Sequence, residues 1–336
     1  MLPDTETKTG SLCPAPSISV VIVNFNSGEL LERCLCALEK QTHPSFQTIV
    51  VDNGSSDGSV NAVEASHLGT RLIRLKKNVG FAAGNNAGIA AAEDSVWIAC
   101  LNPDAFPEPD WLSKLMGAVA ARGPNAFFGC RMLQAESPDR LDGTADVYHV
   151  SGLAWRRDHG MPVAEGVMTT EEIFGPCAAA AVYPRKALLD VGGFDESYFC
   201  YFEDVDLAFR LRLVGYRCWY VPDAVVRHVG SAITGQRSDF SVYHGHRNLV
   251  WTYFKDMPGP LFWLYLPYHL LLNLISVVAF AVRGQFRVIV RAKWDALKGI
   301  GKVLRVRREI QRTRSASAWK LWKVMAKGFT PLWRRN

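Results

Sequence analysis

Residues 51–59 read VDNGSSDGS, a polar turn that follows directly on a β-branched strand. The same order of apolar strand, polar loop and helically spaced apolar residues begins earlier, at 18–40, and recurs at 71–92 and 96–121. Strands that alternate with helices predict an α/β fold built on a doubly wound, mostly parallel sheet. Ligands of such sheets bind beyond the carboxyl ends of the strands. The polar residues at these ends are Asn24, Asp52, Asn78 and Asp104.

Two glycine-containing turns are candidate nucleotide sites. The turn at 51–59 can hold a ribose or a base through hydrogen bonds, although the same residues also form ordinary Asx-type turns. The stretch 78–86, NVGFAAGNN, contains glycines that let a ligand approach the backbone closely. It does not match the G-x-G-x-x-G fingerprint of dinucleotide-binding proteins, which argues against a Rossmann dehydrogenase.

Acidic and imidazole side chains provide the candidate chemistry. The Asn-Pro-Asp corner at 102–104 offers the hard oxygen ligands that Mg²⁺ or Mn²⁺ on a diphosphate requires, or else it is a structural turn. His228 is either a second metal ligand or a core histidine. Glu203 and Asp204 stand before the helical spacing of 205–214, where carboxylates also serve as simple caps.

Seven segments, taken in order, resemble family 2 glycosyltransferases, and most closely the rhamnosyltransferase-like branch of that family. Together they span roughly residues 17–255, and an ordered set of this kind is far more specific than any single segment. The segments are SVVIVNFN (19–26), VDNGSSDGS (51–59), NVGFAAGNN (78–86), LNPD (101–104), GGFDE (192–196), FEDVDL (202–207) and HVGS (228–231).

This resemblance implies a GT-A fold and an inverting transfer from a nucleoside diphosphate sugar, with Mg²⁺ or Mn²⁺ as cofactor. Asp204 would be the general base, with Glu203 as its neighbour or as an acceptor contact. Asp104 would bind the metal, with His228 as the candidate second ligand, and Asn102 stands where the family's Asp-x-Asp motif usually begins. The predicted nucleotide-sugar contacts are Asn24, Phe25, Asn26, Asp52, Asn53, Asn78, Gly80, Asn85, Asn102 and Arg247.

Arg247 belongs to this set because a guanidinium can pair with two phosphate oxygens at once. It lies just before the apolar segment, in a stretch where the resembled family gathers late donor contacts. The alternative is that Arg247 is an exposed helix residue.

Composition divides the chain into three regions. Residues 1–16 are polar, lack the apolar stretch of a secretory signal and are predicted to be disordered. Residues 17–256 form the predicted GT-A catalytic domain. Residues 257–336 combine an uncharged apolar run at 261–282 with a basic segment that holds sixteen Lys and Arg but only two acidic residues. This uneven charge favours contact between the C-terminal region and a polyanionic surface.

The apolar run predicts a membrane-associating helical region. As a helix, 261–282 would reach about 33 Å, which is long enough to cross a bilayer. A single crossing would separate the catalytic domain from the basic segment, although both are expected on the cytosolic side. An in-plane or re-entrant helix next to an anionic membrane surface satisfies both requirements. The alternatives are a buried core helix for 261–282 and nucleic-acid binding by the basic segment, but no nucleic-acid-binding module is recognisable.

The sequence therefore predicts an inverting, metal-dependent glycosyltransferase, cytoplasmic and peripheral on the inner face of the plasma membrane. Its donor is a nucleoside diphosphate sugar, with dTDP-rhamnose as first choice and other UDP- or GDP-sugars as alternatives. Its acceptor is a polyprenyl-diphosphate-linked or other glycan of cell-surface polysaccharide synthesis. Eight cysteines without a C-x-x-C pair fit a reducing compartment.

Two rival functions are weaker. A processive synthase is disfavoured because the chain has no Q-x-x-R-W motif and no array of spanning segments. A catalytically inactive, membrane-bound adaptor that keeps the sugar-nucleotide fold is the alternative from another class of protein. The joint presence of Asp104, Glu203 and Asp204 argues against that adaptor.

Overall fold

The computed structural model describes residues 18–61, 63, 69–230 and 238–328. Within these residues, the dominant element is a mixed sheet of ten strands. Its first half consists of β1 (Ile18–Asn24), β2 (Gln47–Asp52), β3 (Arg71–Arg74) and β4 (Trp97–Leu101). These four strands are parallel and lie in the order β4-β1-β2-β3. The chain order reverses beside β1, and open α/β sheets bind their ligands at such a reversal.

The second half of the sheet begins with β11, which lies beside β4 and is antiparallel to it. Its strands are β5 (Ala105–Pro107), β6 (Ala126–Gln134), β7 (Leu141–Gly143), β10 (Glu171–Ile173), β11 (Ala180–Pro184) and β12 (Arg217–His228), while β8 (Asp146–Tyr148) and β9 (Ala154–Arg156) form a separate hairpin. β11 pairs antiparallel with both β4 and β6, and β12 is parallel to β6. The carboxyl end of β12 therefore lies at the same edge as those of β1 and β4.

Helices cover both faces of the sheet. α1 (Leu30–Leu38) and α3 (Trp111–Arg122) pack on the face to which Val20 of β1 points. α2 (Phe81–Ala91), α4 (Arg185–Asp190) and α5 (Glu203–Leu213) pack on the other face with Val21. α2 approaches β1 so closely that a Cβ atom on Gly84 would lie 2.6 Å from a Val23 methyl carbon. Glycine at this position is therefore what brings the stretch 78–86 against the sheet.

The C-terminal helices pack on α5 and on one another. They are α6 (Asp239–Asp256), α7 (Gly259–Val282), α8 (Phe286–Thr313) and α9 (Ala318–Val324). α8 lies along α6, and Leu321 of α9 enters the same core as Leu207 of α5. The domain boundary predicted at 256/257 falls between α6 and α7, but the segment that follows is packed against the core.

One side of α7 is left uncovered. Leu261, His269 and Leu272 are buried, and His269 Nδ1 donates a hydrogen bond of 2.8 Å to the Ser151 carbonyl. The opposite side exposes large apolar residues, among them Trp263 at 71% and Leu274 at 63%. Among the described helices, α7 is the one that by length and composition could cross a membrane, and 17% of its apolar window is buried.

The predicted fold class is confirmed, since the structure is a doubly wound α/β sheet with a C-terminal helical region. The strand expected at 174–183 was predicted too long: it begins only at Ala180, because a turn closed by the hydrogen bond from the Ala180 N–H to the Cys177 carbonyl precedes it. The hairpin expected within 134–170 is β8–β9. The segment 1–16 and most of the helix predicted at 59–65 lie outside the described residues.

Candidate active site

A cleft of about 1000 Å³ opens at the carboxyl ends of the parallel strands. It lies between the turns that follow β1, β2 and β4 on one side and the first turn of α5 on the other. Of the residues predicted from sequence, the cleft is lined by Phe25, Asn53, Asn78, Gly80, Asn102, Asp104, Glu203, Asp204 and His228. The lining does not include Asn24, Asn26, Asp52, Asn85 and Arg247.

Asn24 and Asn26 fix the polar turn at 51–59 onto the end of β1. Asn24 Nδ2 donates to Ser59 Oγ at 2.8 Å and to Ser55 Oγ at 3.1 Å. The side-chain oxygen of Asn26 accepts from the Ser56 N–H at 2.8 Å. Asp52 accepts from the Ser55 N–H at 3.2 Å. These side chains shape the turn, and their predicted contacts with a nucleotide stay predictions.

Asn53 joins the two glycine-containing turns. Its Nδ2 donates to Asn78 Oδ1 at 3.0 Å, and its Oδ1 accepts from the Val79 N–H at 2.9 Å. Gly80 has φ +92°, and a Cβ atom there would lie 2.6 Å from the Phe199 carbonyl oxygen. Glycine is thus required at position 80 both by its conformation and by the lack of space. Asn85 is buried in α2, where its Nδ2 donates to the Phe81 carbonyl at 3.0 Å.

A row of charged side chains begins at Asp104 and runs along the wall of the cleft. His228 Nε2 lies 3.3 Å from Asp104 Oδ1, and His228 Nδ1 lies 2.8 Å from Asp142 Oδ2. Arg156 donates to the same Asp142 oxygen at 2.6 Å, and the His159 ring donates to the Asp142 carbonyl at 2.8 Å. Asp142 is therefore the residue that orients His228, and sequence reasoning missed it.

The charges in this row stabilise one another. Burial favours neutral imidazole, but the flanking carboxylates of Asp104 and Asp142 raise the pKa of His228 to about 9. Burial also opposes ionisation of Asp104, yet its contact with His228 outweighs that effect and lowers the pKa of Asp104. The two carboxylates therefore favour a positive charge on His228.

The residues around Asp104 fit a divalent cation. Within the described part of the chain, Asn102 Oδ1 is buried without a hydrogen-bond partner, and His228 Nε2 is buried without a well-aligned one. Together with the Asp104 carboxylate, they offer two oxygen ligands and one imidazole nitrogen, which would release its proton as the cation binds. Oxygen ligands suit Mg²⁺ and Mn²⁺. Asp142 holds the second nitrogen of His228, as an acidic residue commonly does for a metal-bound histidine.

The first turn of α5 carries the acidic pair on the opposite side of the cleft. Asp204 is half-buried, and its two oxygens accept from the Val205 N–H at 2.8 Å and the Ala178 N–H at 3.3 Å. Glu203 is buried, and burial together with the charge of Asp204 raises the pKa of Glu203 well above its usual range. Burial therefore disfavours the charged form of Glu203, while the more accessible Asp204 is held by two backbone N–H groups.

Two further residues adjoin Asp204. Ligand atoms of Asp146, Cys177 and Asp204 all lie within 4.8 Å of one another. Burial and the nearby charge of Asp204 raise the pKa of Asp146 well above its usual range. Sequence reasoning missed Asp146 and Cys177, because neither stands in a recognisable motif.

Arg247 lies behind the loop that precedes α5. Its guanidinium donates to the carbonyls of Ser197 and Tyr198 at 3.1 and 3.0 Å and lies over the Trp251 ring at 4.3 Å. The predicted contact between Arg247 and the donor stays a prediction, but the side chain as placed supports this loop.

This fold and this cleft define a glycosyltransferase of the GT-A type. Residues 19–192, more than half of the chain, match the family described as Glycosyl transferase family 2. The chain belongs to that family. The family and the branch predicted from sequence are thereby confirmed, since a rhamnosyltransferase is among the relatives.

Two relatives come from Mycobacterium tuberculosis. An N-acetylglucosaminyl-diphospho-decaprenol L-rhamnosyltransferase is 29% identical over 262 residues, which cover 71% of this chain and 84% of that protein. A pre-mycofactocin glycosyltransferase is 31% identical over 221 residues, which cover 63% of this chain and 42% of that protein. The first of these relatives matches this chain over most of its own length.

Solved structures share the fold. The mannosyltransferase PcManGT from Pyrobaculum calidifontis, in complex with GDP-Man and Mn²⁺, gives a TM-score of 0.53 at 18% identity and covers 92% of this chain and 86% of its own. GalNAc-T7 with UDP, GalNAc and Mn²⁺ gives 0.58 at 14% identity and covers 71% of this chain and 47% of its own. At these identities the likeness concerns the fold alone.

Proposed function

We propose that this protein is an inverting, metal-dependent glycosyltransferase that transfers a sugar from a nucleoside diphosphate to a lipid-linked glycan. One observation carries the proposal: a single cleft contains the half-buried carboxylate of Asp204 and, separately, the ligand set of Asn102, Asp104 and His228. Inverting displacement needs a base on the acceptor side and charge neutralisation on the leaving-group side.

The proposed step begins when Asp204 takes the proton of an acceptor hydroxyl. The hydroxyl oxygen forms a bond to the anomeric carbon of the donor sugar as the bond from that carbon to the phosphate oxygen breaks. The nucleoside diphosphate leaves with the bonding electron pair from the opposite face, so the anomeric configuration inverts. The N–H groups of Ala178 and Val205 hold the Asp204 carboxylate in one orientation for this step.

The leaving diphosphate needs a counter-charge. A divalent cation held by Asn102, Asp104 and His228 would neutralise it and improve it as a leaving group. Imidazole binds Mn²⁺ more readily than Mg²⁺, so we favour Mn²⁺. Phe25, Asn53, Asn78 and Gly80 line the same side of the cleft and are the proposed nucleotide contacts.

For donor and acceptor we propose dTDP-L-rhamnose and an N-acetylglucosaminyl-diphosphate polyprenol. The proposal is supported by the similarity to the mycobacterial rhamnosyltransferase, which extends over 84% of that protein. It is also supported by the apolar surface of the C-terminal helices, because a lipid-linked acceptor is presented at a membrane.

The membrane surface is proposed from the outer side of α7 and α8. Exposed apolar residues there are Trp263, Leu264, Leu271, Leu274 and Val278 of α7 and Phe286, Val290, Trp294 and Leu297 of α8. Exposed basic residues of α8 adjoin this face: Arg287, Arg291, Lys298, Lys302, Arg305 and Arg308. An apolar stripe bordered by positive charge is typical of a helix that lies in the plane of an anionic membrane. The protein would accordingly be peripheral on the cytosolic face, where nucleotide sugars are found.

A donor screen tests this function. Purified protein with Mn²⁺ is incubated with farnesyl-diphospho-N-acetylglucosamine and, separately, with dTDP-L-rhamnose, UDP-sugars and GDP-sugars, and products are detected by mass spectrometry. We expect addition of one deoxyhexose with the dTDP donor. Absence of product with every donor, from protein that binds dTDP in calorimetry, would contradict the proposed function.

A further inference from the structure

A cluster of aromatic rings forms one wall of the cleft beside the acidic pair. Phe240 and His244 of α6 lie 4.5 Å apart between ring centroids, and Phe199 stacks on His244 at 5.5 Å. Tyr201 lies 6.2 Å from Phe240. Phe199, Tyr201 and Phe240 line the cleft, and Phe240 is 38% exposed. We call Phe199, Tyr201, Phe240 and His244 the aromatic shelf.

The backbone that carries the shelf is strained. Phe199, Tyr201 and Phe202 have φ of 65°, 69° and 69°, although none is glycine. Bulky residues rarely adopt this conformation, and where several do so together the strain commonly serves a functional site. Glu203 and then the proposed base Asp204 follow this segment, so the strain lies directly before the acidic pair.

The surrounding side chains hold the strained loop in place. The buried Asn248 Nδ2 donates to the carbonyls of Tyr198, Cys200 and Tyr201 at 3.1, 3.0 and 2.7 Å. The Phe199 carbonyl accepts from the Phe81 N–H at 2.7 Å. The polar backbone of the loop is thus satisfied from behind, and its rings project into the cleft.

The aromatic shelf also adjoins the proposed membrane surface. Gln285, in the turn between α7 and α8, donates to Asp239 at 2.8 Å, and Asp239 directly precedes Phe240. Phe286 follows this turn and is 55% exposed, and Val282 before it is 84% exposed. The aromatic shelf therefore lies between the acidic pair, Glu203 and Asp204, and the turn that joins α7 to α8.

From this placement we propose that the aromatic shelf binds the acceptor sugar: a pyranose attached to a lipid diphosphate stacks its apolar C–H face on Phe240 and Tyr201. This inference rests on the proposed function and assigns its acceptor subsite. Aromatic rings suit a sugar because a hexopyranose can pack a face of C–H groups against them. The hydroxyls of the sugar then stay free, and one of them can give its proton to Asp204. A lipid chain that leaves the sugar towards Phe286 would pass directly into the membrane.

The test is steady-state kinetics of three variants with farnesyl-diphospho-N-acetylglucosamine in detergent and dTDP-L-rhamnose with Mn²⁺. Phe240→Ala should raise the acceptor KM by about tenfold or more, as loss of an aromatic anchor does at other binding sites. Donor KM and the affinity for dTDP should stay within about twofold of wild type. Phe240→Tyr should keep acceptor KM near wild type, because it retains the ring.

Trp319→Ala, in α9, is the matched control, since it also removes an exposed ring but lies outside both the cleft lining and the α7–α8 membrane surface. Its acceptor KM should be unchanged in detergent. An unchanged acceptor KM in Phe240→Ala, or an equal rise in donor KM, would overturn the acceptor assignment while the proposed function stands. Lack of transfer by the wild-type protein would overturn the proposed function, and this inference with it.

Discussion

Asp204→Asn should remove the base and leave the donor site intact. Asparagine has nearly the same shape and can still accept the hydrogen bond from either the Val205 or the Ala178 N–H, but it cannot take a proton at neutral pH. Positioned base catalysis contributes ~10²–10⁴-fold, so we expect kcat to fall by about that factor. This corresponds to about 3–5 kcal/mol on the barrier.

The neighbouring acids should not rescue the Asp204→Asn variant. Burial and the charge of Asp204 raise the pKa of Glu203, and burial likewise raises that of Asp146. Asp204→Asn removes the charge but not the burial, so the carboxylate forms of both groups stay disfavoured and neither is expected to replace the base. Asp146→Asn is the matched control, because it makes the same exchange in the neighbouring buried carboxyl, and it should keep kcat within about tenfold of wild type.

The assay measures kcat and acceptor KM with saturating donor, and dTDP affinity by calorimetry. Asp204→Asn should bind dTDP as wild type does, since Asp204 lies across the cleft from the proposed nucleotide contacts. A kcat within a few fold of wild type would refute the assignment of Asp204. A loss as large in Asp146→Asn as in Asp204→Asn would show instead that the whole acidic cluster carries the reaction.

Further predictions concern the metal, the loop and the membrane. Chelation with EDTA should abolish transfer, and Asp104→Ala should weaken dTDP binding in the presence of Mn²⁺ by an order of magnitude or more, because the diphosphate loses its counter-charge; full activity in excess chelator would contradict this. Arg247→Ala should lower the free energy of unfolding by ~1–3 kcal/mol, because two carbonyls lose their donor, and it should therefore lower the melting temperature and kcat. Donor KM should change little, and a large rise in donor KM would favour the predicted phosphate contact of Arg247. Leu274→Glu should weaken flotation with anionic vesicles without changing activity on short-chain acceptor in detergent. The matched exchange Leu189→Glu, on an exposed residue of α4, should leave flotation unchanged. If the wild-type protein floats at neither low nor high salt, the proposed membrane surface is wrong.

Much of the fold was predictable because its signals are local. β1, β2 and β4 are apolar runs that end at polar residues, and each end lies at the cleft or in a turn beside it. Asp104, Glu203 and Asp204 could be recognised because they stand at the end of a strand or the start of a helix. These positions depend on periodicity over ten to twenty residues, which a sequence displays directly.

The remaining site residues depend on distant contacts. Asp142 pairs with His228, 86 positions away, from a segment without clear periodicity, so nothing near it in sequence marks its role. The positive φ values at Phe199 and Tyr201 could not be predicted, since aromatic residues carry no signal for this conformation. The two contacts of Arg247 with backbone carbonyls also depend on tertiary packing, and its phosphate contact, suggested by residue type, stays a prediction.

The anomeric configuration of the product tests the central claim most directly. Wild-type protein, dTDP-L-rhamnose, Mn²⁺ and farnesyl-diphospho-N-acetylglucosamine are allowed to react, and the new linkage is examined by NMR against the configuration of the donor. In the proposed mechanism, Asp204 deprotonates an acceptor hydroxyl, which attacks opposite the departing diphosphate. This mechanism predicts a single product with inverted configuration. A product that retains the donor configuration would contradict the account.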